Sequence, residues 1–246
     1  MKKTLVLCTH NRPIHPQTVQ ALNALRRAGA ALIDHSDAPT DVTLARNLGL
    51  SAVCEHLDRM PARDVVLLVD YDMVFSVEDA QALADHARAE CYAASAMYVT
   101  AAGALAAYRL EAPGERPRWL TGLGLLAIPS CSLLALRAES ETFAAPGGEK
   151  FGFTQSGVDS GQYLSEDFTL CKRLGGVDLL PVAIGHVKPL AVYPDDDTVA
   201  AVREGRALSA EMRGRWRGDF MPPALSELTG VTEAEYAALV CKPLDN

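Results

Sequence analysis

Residues 65–75 read VVLLVDYDMVF, an apolar run that ends in two aspartates separated by one tyrosine. A strand that is apolar at every position has both faces covered, which is typical of a parallel sheet flanked by helices. In an extended chain alternate side chains share a face, so we expect Asp70 and Asp72 to point one way and Tyr71 the other. Neighbouring carboxylates repel each other unless a cation lies between them, and α/β sheets bind ligands outside the carboxyl ends of their strands. The run is therefore compatible with a metal site, but taken alone it favours the alternative, in which Asp70 caps the next helix and Asp72 is solvated.

Strand and helix patterns alternate on both sides of this run. Short apolar segments predict strands at residues 4–9, 31–35, 65–69 and 91–99. Apolar residues at helical spacing predict helices at residues 16–28, 41–57 and 77–89. Ser76, followed three residues later by Asp79, predicts a capping box at the start of the third helix. This β-α-β-α-β-α-β order predicts a parallel sheet flanked by helices.

The second half of the chain is less regular. Its glycine-containing segment TGLGLLAIP predicts a strand in which Gly122 and Gly124 allow close backbone approach. Ser165 can cap a helix that Gly175 ends. The remaining segments are predicted in order as a polar connection at residues 110–119, a long loop at 139–165, a strand at 177–187 and a charged helical tail.

The composition of the 246-residue chain is that of a globular protein, with 49% apolar and 22% charged residues. Its net charge of −8 argues against a general affinity for polyanions. No run approaches the roughly 18 apolar residues of a membrane helix, and the start MKKTLVLCTHNRP lacks a signal-peptide cleavage site. Six cysteines, scattered singly without a CxxC pair, predict buried free thiols in a cytoplasmic protein.

Two further motifs place ionisable side chains at the ends of predicted elements. Glu166 and Asp167 open a helix, where acids are favourable, so capping alone could explain them. His186 ends the last predicted strand, where a lone histidine is more often a hydrogen-bonded surface residue than a ligand. Together with Asp70 and Asp72, however, these residues offer a metal pair, a candidate base and a nitrogen ligand.

In this order and spacing the motifs resemble those of the compact GT-A fold glycosyltransferases, which contain a DxD motif and use nucleotide-sugar donors. The resemblance covers about residues 5–193 and rests on CTHNRP, LARN at 44–47, DYD at 70–72, AASAMYV, TGLGLLAIPSC, SED and the terminal GH. It implies an α/β fold with a GT-A-like, Rossmann-type, mostly parallel central sheet. The implied catalytic domain is 1–195, with a nucleotide-binding half at 1–100 and an acceptor half at 101–195. Residues 196–246 are then a helical extension packed on the same domain.

The resemblance also implies roles for individual residues. The donor would be a UDP-sugar, with a GDP-sugar as the second choice. Its binding residues would be Thr9, Asn11, Arg12, Asp34, Arg46, Asn47, Asp70, Tyr71, Gly122 and Gly124. A Mn²⁺ or Mg²⁺ ion would be held by Asp70, Asp72 and His186, where an imidazole ligand makes Mn²⁺ at least as suitable.

Asp167 is the candidate general base, as in inverting members of the family with an acidic pair at this place. It would take the proton of an acceptor hydroxyl. In a retaining enzyme Asp167 would instead bind the sugar or the acceptor. The acceptor itself is open: a saccharide, a small molecule, a protein or a modified nucleic acid would each supply a hydroxyl. Glu166 either contacts this acceptor or caps the helix.

The tail carries arginines at positions 203, 206, 213, 215 and 217 around Trp216. Basic side chains with an interleaved aromatic suit a phosphate backbone and a stacked base, which makes Arg213, Arg215 and Trp216 candidate acceptor contacts. A hydroxymethylated base in DNA is then one candidate acceptor. The alternative is a solvated amphipathic helix whose arginines pair with nearby acids.

Two other functions remain open on the sequence alone. A nucleotidyltransferase on a similar sheet would need a glycine-rich phosphate loop after the first strand, whereas CTHNRPIHP has no glycine. A non-catalytic nucleotide-binding module would not need Asp167. Replacing Asp167 with asparagine separates an enzyme from such a module, because only an enzyme that uses Asp167 as its base loses turnover while nucleotide binding survives.

Overall fold

The structure is a computed structural model, and it describes residues 4–10, 13–36, 38–100, 104–110, 117–159, 161–187, 196–206 and the backbone of 191–194 and 216–218. The helices are α1 (Pro16–Arg27), α2 (Val42–Leu57), α3 (Val77–Glu90), α4 (Ser130–Ala138), α5 (Glu166–Arg173) and α6 (Asp196–Arg203). The strands of the first half are β1 (Thr4–Thr9), β2 (Ala31–His35), β3 (Val65–Val69), β4 (Met73–Val74) and β5 (Ala94–Met97). Those of the second half are β6 (Ala107–Leu110), β7 (Arg118–Thr121), β8 (Leu125–Pro129), β9 (Thr142–Ala145), β10 (Gly148–Phe151), β11 (Gly157–Asp159), β12 (Gln162–Leu164), β13 (Asp178–Ala183), β14 (Gly185–Val187), β15 (Ala191–Pro194) and β16 (Trp216–Gly218).

A central sheet of six strands has the order β13-β5-β8-β3-β1-β2. Strands β1, β2 and β3 pair in parallel, as do β5 and β13, whereas β8 runs antiparallel to both of its neighbours. The predicted α/β fold with a mostly parallel sheet flanked by helices is therefore confirmed.

The apolar run at β3 is buried along its whole length. Val65, Leu67 and Val69 pack with residues of α1 and α3 on one face of the sheet. Val66 and Leu68 pack with residues of α2 and α4 on the other face. Because both faces are covered by apolar helices, every position of this strand is apolar, as the sequence pattern predicted.

The helix starts follow their capping residues. Ser76 Oγ accepts from the backbone N–H of Asp79, and the Asp79 carboxylate accepts from the backbone N–H of Ser76, which confirms the predicted capping box of α3. Ser165 Oγ accepts from the N–H of Phe168 and caps α5. The helix that follows the DYD motif is thus capped by Ser76, and the capping alternative for Asp70 is wrong.

Several predictions for the second half are corrected. The segment at residues 177–187 forms two strands in different sheets, β13 in the central sheet and β14 in a smaller sheet of order β16-β15-β14-β4. The predicted loop at 139–165 contains two antiparallel hairpins, β9–β10 and β11–β12. The predicted connection at 110–119 includes part of an antiparallel ribbon, β6–β7. Helix α4 was not predicted.

The predicted helical tail is correct only in part. Asp196–Arg203 is a helix, whereas Trp216–Gly218 is a strand that pairs with β15. These backbone hydrogen bonds override the amphipathic pattern of the sequence. Residues 207–215 and 219–246 lie outside the described residues. Across the parts of the chain that the structure describes, no helix is both long and apolar enough to span a membrane.

Candidate functional site

The DYD motif lies where β3 ends, in a turn that leads into β4. The extended chain that was expected to put both aspartates on one face is therefore wrong. The turn is held by backbone hydrogen bonds from three directions. Asp70 N donates to Gly124 O at 3.1 Å, His15 N donates to Tyr71 O at 2.8 Å, and Val187 N donates to Asp72 O at 2.9 Å. These bonds fix the position from which the two carboxylates project.

An open cleft of about 810 Å³, counting its mouth, lies beside this turn. Strand β1 has β2 on one side and β3 on the other, so the crevice outside the ends of β1 and β3 is the switch point of the sheet. The lining residues are Thr9, His10, Ala38, Pro39, Thr40, Val42, Ala45, Arg46, Asp70, Tyr71, Asp72 and His186. Six predicted site residues are among them, whereas Asn11 and Arg12 lie outside the described residues.

Arg46 joins one half of the motif to α5. Its Nη1 and Nη2 donate to Asp70 Oδ1 and Oδ2 at 3.1 and 3.4 Å. Nη2 also lies 3.0 Å from Asp167 Oδ1, and Nε lies 3.7 Å from Glu166 Oε1. We call Arg46, Asp70, Glu166 and Asp167 the arginine cluster. The Arg46 side chain is only 12% exposed, so this cluster places one cation among three carboxylates with little solvent.

Burial raises the pKa of Asp167 to about 7, opposed by Arg46 and reinforced by Glu166 and Asp70. The pKa of Arg46 is raised as well: burial lowers it, but the neighbouring carboxylates of Asp167 and Asp70 outweigh burial. Asp167 Oδ1 is buried and accepts no hydrogen bond within the described ranges, because its approach to Arg46 is not aligned as one. The cluster therefore holds a carboxyl group that changes charge near neutral pH.

His186 and Asp72 form the second group of the site. Strand β14 pairs antiparallel with β4 and sets His186 opposite Met73. His186 Nε2 lies 3.5 Å from Asp72 Oδ2, and Asp72 is only 6% exposed. His186 Nδ1 lies 3.0 Å from the carbonyl oxygen of Val99, which can only accept, so Nδ1 carries a proton and donates it. This bond orients the ring so that Nε2 faces Asp72. Metal-binding histidines are commonly held in the same way, with one ring nitrogen donating to a protein oxygen and the other free to bind the metal.

The three predicted metal ligands are not gathered at one point. Asp72 and His186 lie together, whereas the Asp70 carboxylate is directed to Arg46. Within the described ranges, no group of three His, Cys, Asp or Glu side chains has the arrangement of a metal site. The pair of Asp72 and His186 is the part of the predicted ligand set that the structure assembles.

Tyr98 is a site residue that the sequence did not point out. Its ring meets the His186 ring edge to face at a centroid distance of 5.3 Å, and its hydroxyl oxygen accepts from Gly124 N at 3.4 Å. A Cβ at Gly122 would lie 1.9 Å from the Tyr98 hydroxyl oxygen, and one at Gly124 would lie 2.9 Å from the ring. The space beside both glycines is thus filled by Tyr98, together with Met73 at Gly124, and neither glycine is among the residues that line the cleft. Only the contact with His186 shows that Tyr98 belongs to the site.

His10 and Asp34 form a hydrogen-bonded pair at the ends of β1 and β2. His10 Nε2 donates to Asp34 Oδ1 at 2.7 Å, and Asp34 is half exposed. His10 lines the cleft beside Thr9, although the sequence pointed to its neighbours Thr9, Asn11 and Arg12. Parallel pairing of the two strands brings these side chains together across 24 residues of sequence.

Of the tail residues predicted as acceptor contacts, Arg213 and Arg215 lie outside the described residues, and Trp216 is described only by its backbone.

The prediction that Asn47 faces the donor is corrected. Its Nδ2 donates to Thr154 O at 2.9 Å, and its Oδ1 accepts from Thr154 N at 3.0 Å. The Thr154 hydroxyl in turn donates to the backbone oxygen of Glu166. Asn47 is buried and serves as a structural clip that ties α2 to the first turn of α5. It thereby keeps the acidic pair of α5 beside Arg46.

Replacing Asn47 with alanine is expected to destabilise the protein by about 2–3 kcal/mol, because two buried backbone groups of Thr154 lose their partners. Urea unfolding measures the loss, and the Thr154 amide hydrogen should exchange faster. The matched control is Asn23→Ala on the exposed side of α1, expected to lie within about 0.5 kcal/mol of wild type. If Asn47→Ala instead bound nucleotide more weakly than wild type and kept its stability, Asn47 would contact the donor as the sequence predicted.

Comparison with known proteins yields only a likeness of fold. No protein-family model matches the chain, and no curated protein matches it. The chain is similar to the crystal structure of A197 from STIV, with a TM-score of 0.50 and 15% identity over 80% of this chain and 91% of that chain. At this identity the likeness concerns the α/β fold alone.

Proposed function

We propose that this protein is a metal-dependent glycosyltransferase of the GT-A type. It transfers a sugar from a nucleoside-diphosphate sugar, a UDP-sugar before a GDP-sugar, to an acceptor hydroxyl. One observation carries the proposal: the acids of two distant motifs, DYD and SED, meet at the sheet's switch point through Arg46. A protein that needed these acids only as helix caps would have no reason to bury an arginine among them.

The cleft supports a nucleotide donor. Excluding its open mouth, the cleft has a volume of about 280 Å³, close to the lower end of the ~300–1,000 Å³ usual for small-molecule sites. Thr9 and the hydrogen-bonded pair of His10 and Asp34 offer hydrogen-bonding groups for a base and ribose at the ends of β1 and β2. Asp70, Tyr71 and Asp72 then lie toward the diphosphate. The GT-A-like form of the sheet is part of this proposal, supported by the reversed strand β8 in an otherwise parallel order.

The donor set fits a divalent cation. Asp72 supplies a carboxylate and His186 a ring nitrogen whose partner Nδ1 is already bound to Val99. Three carboxylates surround the Arg46 guanidinium and Asp72 adds a fourth beside His186, an excess of negative charge that favours a cation. Asp72 and His186 would hold Mn²⁺ or Mg²⁺, with Asp70 as a further ligand when it leaves Arg46. When bound, the ion supplies Lewis-acid stabilisation of the departing nucleoside diphosphate.

Asp167 is the general base that takes the proton of the acceptor hydroxyl. Its buried Oδ1 makes no hydrogen bond within the described residues, so it keeps acceptor capacity for a hydroxyl that approaches beside Arg46 Nη2, 3.0 Å away. As the acceptor oxygen bonds to the anomeric carbon, that hydroxyl's proton moves to Asp167, and the bond from the anomeric carbon to the phosphate oxygen breaks. A pKa of about 7 suits a base that works at neutral pH. Attack from the face opposite the leaving group inverts the anomeric carbon.

The test is thermal stability with UDP, GDP, CDP and ADP, each with and without Mn²⁺. At a hundredfold excess over its dissociation constant the preferred diphosphate should stabilise the protein by about 2.7 kcal/mol. That corresponds to a shift of ~5–10 °C for a domain of this size. We expect the shift for UDP, or else for GDP, and we expect it to require Mn²⁺.

Asp72→Asn should abolish the part of the shift that depends on Mn²⁺. The matched control Asp58→Asn removes an exposed carboxylate at the end of α2, outside the cleft, and should leave the shift unchanged. A shift that ignores both Mn²⁺ and Asp72 would favour the non-catalytic nucleotide-binding module. The absence of a shift with all four diphosphates would overturn the donor site.

A further inference from the structure

Two thiols that are remote in sequence lie in contact on the surface. Cys91 is exposed, Cys131 is half-buried, and their Sγ atoms are 3.1 Å apart. The sequence predicted buried free thiols throughout, and Cys8, Cys54 and Cys171 are indeed buried. The contact joins the end of α3 to the first turn of α4, across 40 residues of sequence.

The backbone at Cys91 gives a second, independent observation. Cys91 occupies the C-cap of α3 with a φ of 54°, in the left-handed region that favours glycine. Within the described ranges it is the only non-glycine residue with a positive φ. Side chains in this region are disfavoured, and such strain is commonly kept where the side chain has a use. Cys91 is also exposed, so a reagent can reach its thiol.

We propose that Cys91 and Cys131 form a dithiol site that reacts with a low-molecular-weight disulfide and closes to a disulfide between α3 and α4. One of the two thiols, as its thiolate, attacks a sulfur of the reagent; the reagent's S–S bond breaks and one thiolate leaves. The second thiolate then attacks the protein sulfur of this mixed disulfide, and the second reagent thiolate leaves. The two leaving groups take up the two protons of the protein thiols. Two protein thiols are oxidised and one reagent disulfide is reduced to two thiols.

The site is separate from the proposed donor cleft. Residue Pro129, just before α4, pairs with Val65 at the start of β3, whereas Asp70 follows the opposite end of that strand. Closing the disulfide is therefore not expected to alter nucleotide binding. It should raise the melting temperature by ~5–10 °C, because the crosslink restricts a long loop of the unfolded chain.

The experiment incubates the full chain with oxidised and reduced glutathione at a series of ratios, and maps its cysteines by peptide mass spectrometry. We expect a Cys91–Cys131 crosslinked peptide and a protein mass lower by two hydrogen atoms, with the three buried thiols still reduced. Cys91→Ser and Cys131→Ser should each stop at a mixed disulfide with one glutathione on the remaining thiol. The control Cys54→Ser, which lacks a buried thiol, should close as wild type does.

Three results would overturn the proposal: glutathione left on Cys91 or Cys131 of the wild type without closure, both thiols unreacted at every ratio, or a crosslink made instead to Cys241. Thermal unfolding of the crosslinked protein is the second measurement. If the crosslink forms but the melting temperature does not change, the bond distorts the native packing around α3 and α4. That result would contradict the inference that the two thiols are already placed to form a disulfide.

Discussion

Replacing Arg46 with methionine is expected to destabilise the protein by about 3–5 kcal/mol, because a buried ionic cluster that loses its only cation leaves uncompensated charge. Among the residues that the structure describes, Arg46 is the one guanidinium in contact with Asp70, Glu166 and Asp167. Methionine keeps much of the side-chain volume, so the loss reports charge rather than packing. For a domain of this size the melting temperature should fall by ~6–20 °C.

The pH dependence of this loss has a definite sign. Arg46 opposes the burial that raises the pKa of Asp167, so without Arg46 this folded-state pKa rises further above its value in the unfolded chain. Groups of this kind contribute stability at low pH that is lost as pH rises through the folded pKa. The deficit of Arg46→Met should therefore shrink from pH 7 to pH 5. Urea unfolding across this range measures it.

The control is Arg59→Met, which removes an exposed arginine just after α2. It should stay within about 0.5 kcal/mol of wild type at both pH values. If Arg46→Met were equally mild, the arginine cluster would not hold the site together, and the meeting of the DYD and SED motifs would need another cause.

Replacing Asp167 with asparagine is expected to lower turnover by about 10²–10⁴-fold, the usual contribution of a positioned general base. Turnover is measured as release of nucleoside diphosphate from the donor that the thermal-shift experiment identifies. Nucleotide binding should survive, because Asp167 is not among the residues that line the cleft. The amide has the shape of the carboxyl group but cannot take the proton.

The pH profile separates a base from a structural acid. Burial raises the pKa of Asp167 to about 7, so wild-type kcat/KM should rise as pH increases through about 7, while Asp167 loses its proton. The same raised pKa stabilises the fold at low pH and loses this contribution as pH rises from the unfolded value toward 7. The stability of Asp167→Asn relative to wild type should therefore improve between pH 5 and pH 8.

Glu166→Gln is the matched control, because it makes the same change of carboxyl to amide at the neighbouring position. It should keep most of the turnover and keep the rising pH limb. Full activity in Asp167→Asn would remove this residue from the proton transfer. An inactive wild type that still binds a diphosphate would favour the non-catalytic module.

Much of the fold could be predicted because its signals are local. The apolar run at residues 65–69 specifies a strand covered on both faces, and Ser76 with Asp79 specifies where α3 begins. The predictions failed where pairing partners are remote. Residues 177–187 look like one strand, yet their second part leaves the central sheet to pair with β4 beside the DYD turn. No neighbour in sequence signals that exchange.

The candidate site likewise has residues that the sequence could select and residues whose role only the tertiary contacts decide. Residue types and their order were enough to select Asp70, Asp72, Asp167 and His186, since acids and a histidine at the ends of elements keep their chemistry in any packing. Asn47 has a polar side chain that suits a donor equally well, and only its partner Thr154, 107 residues away, makes it structural. A side chain's type limits what it can bind, but its neighbours determine what it does bind.

The charge state of the site depends on tertiary structure for a physical reason. A carboxyl group's pKa follows its burial and the charges within a few ångströms, and Arg46 reaches Asp167 across more than a hundred residues of sequence. The same holds for Cys91 and Cys131, which look like isolated thiols until α3 and α4 bring them into contact. Strand, helix and cap propensities act over a few residues and can be recognised in the chain. Desolvation and long-range contacts exist only once the chain has packed.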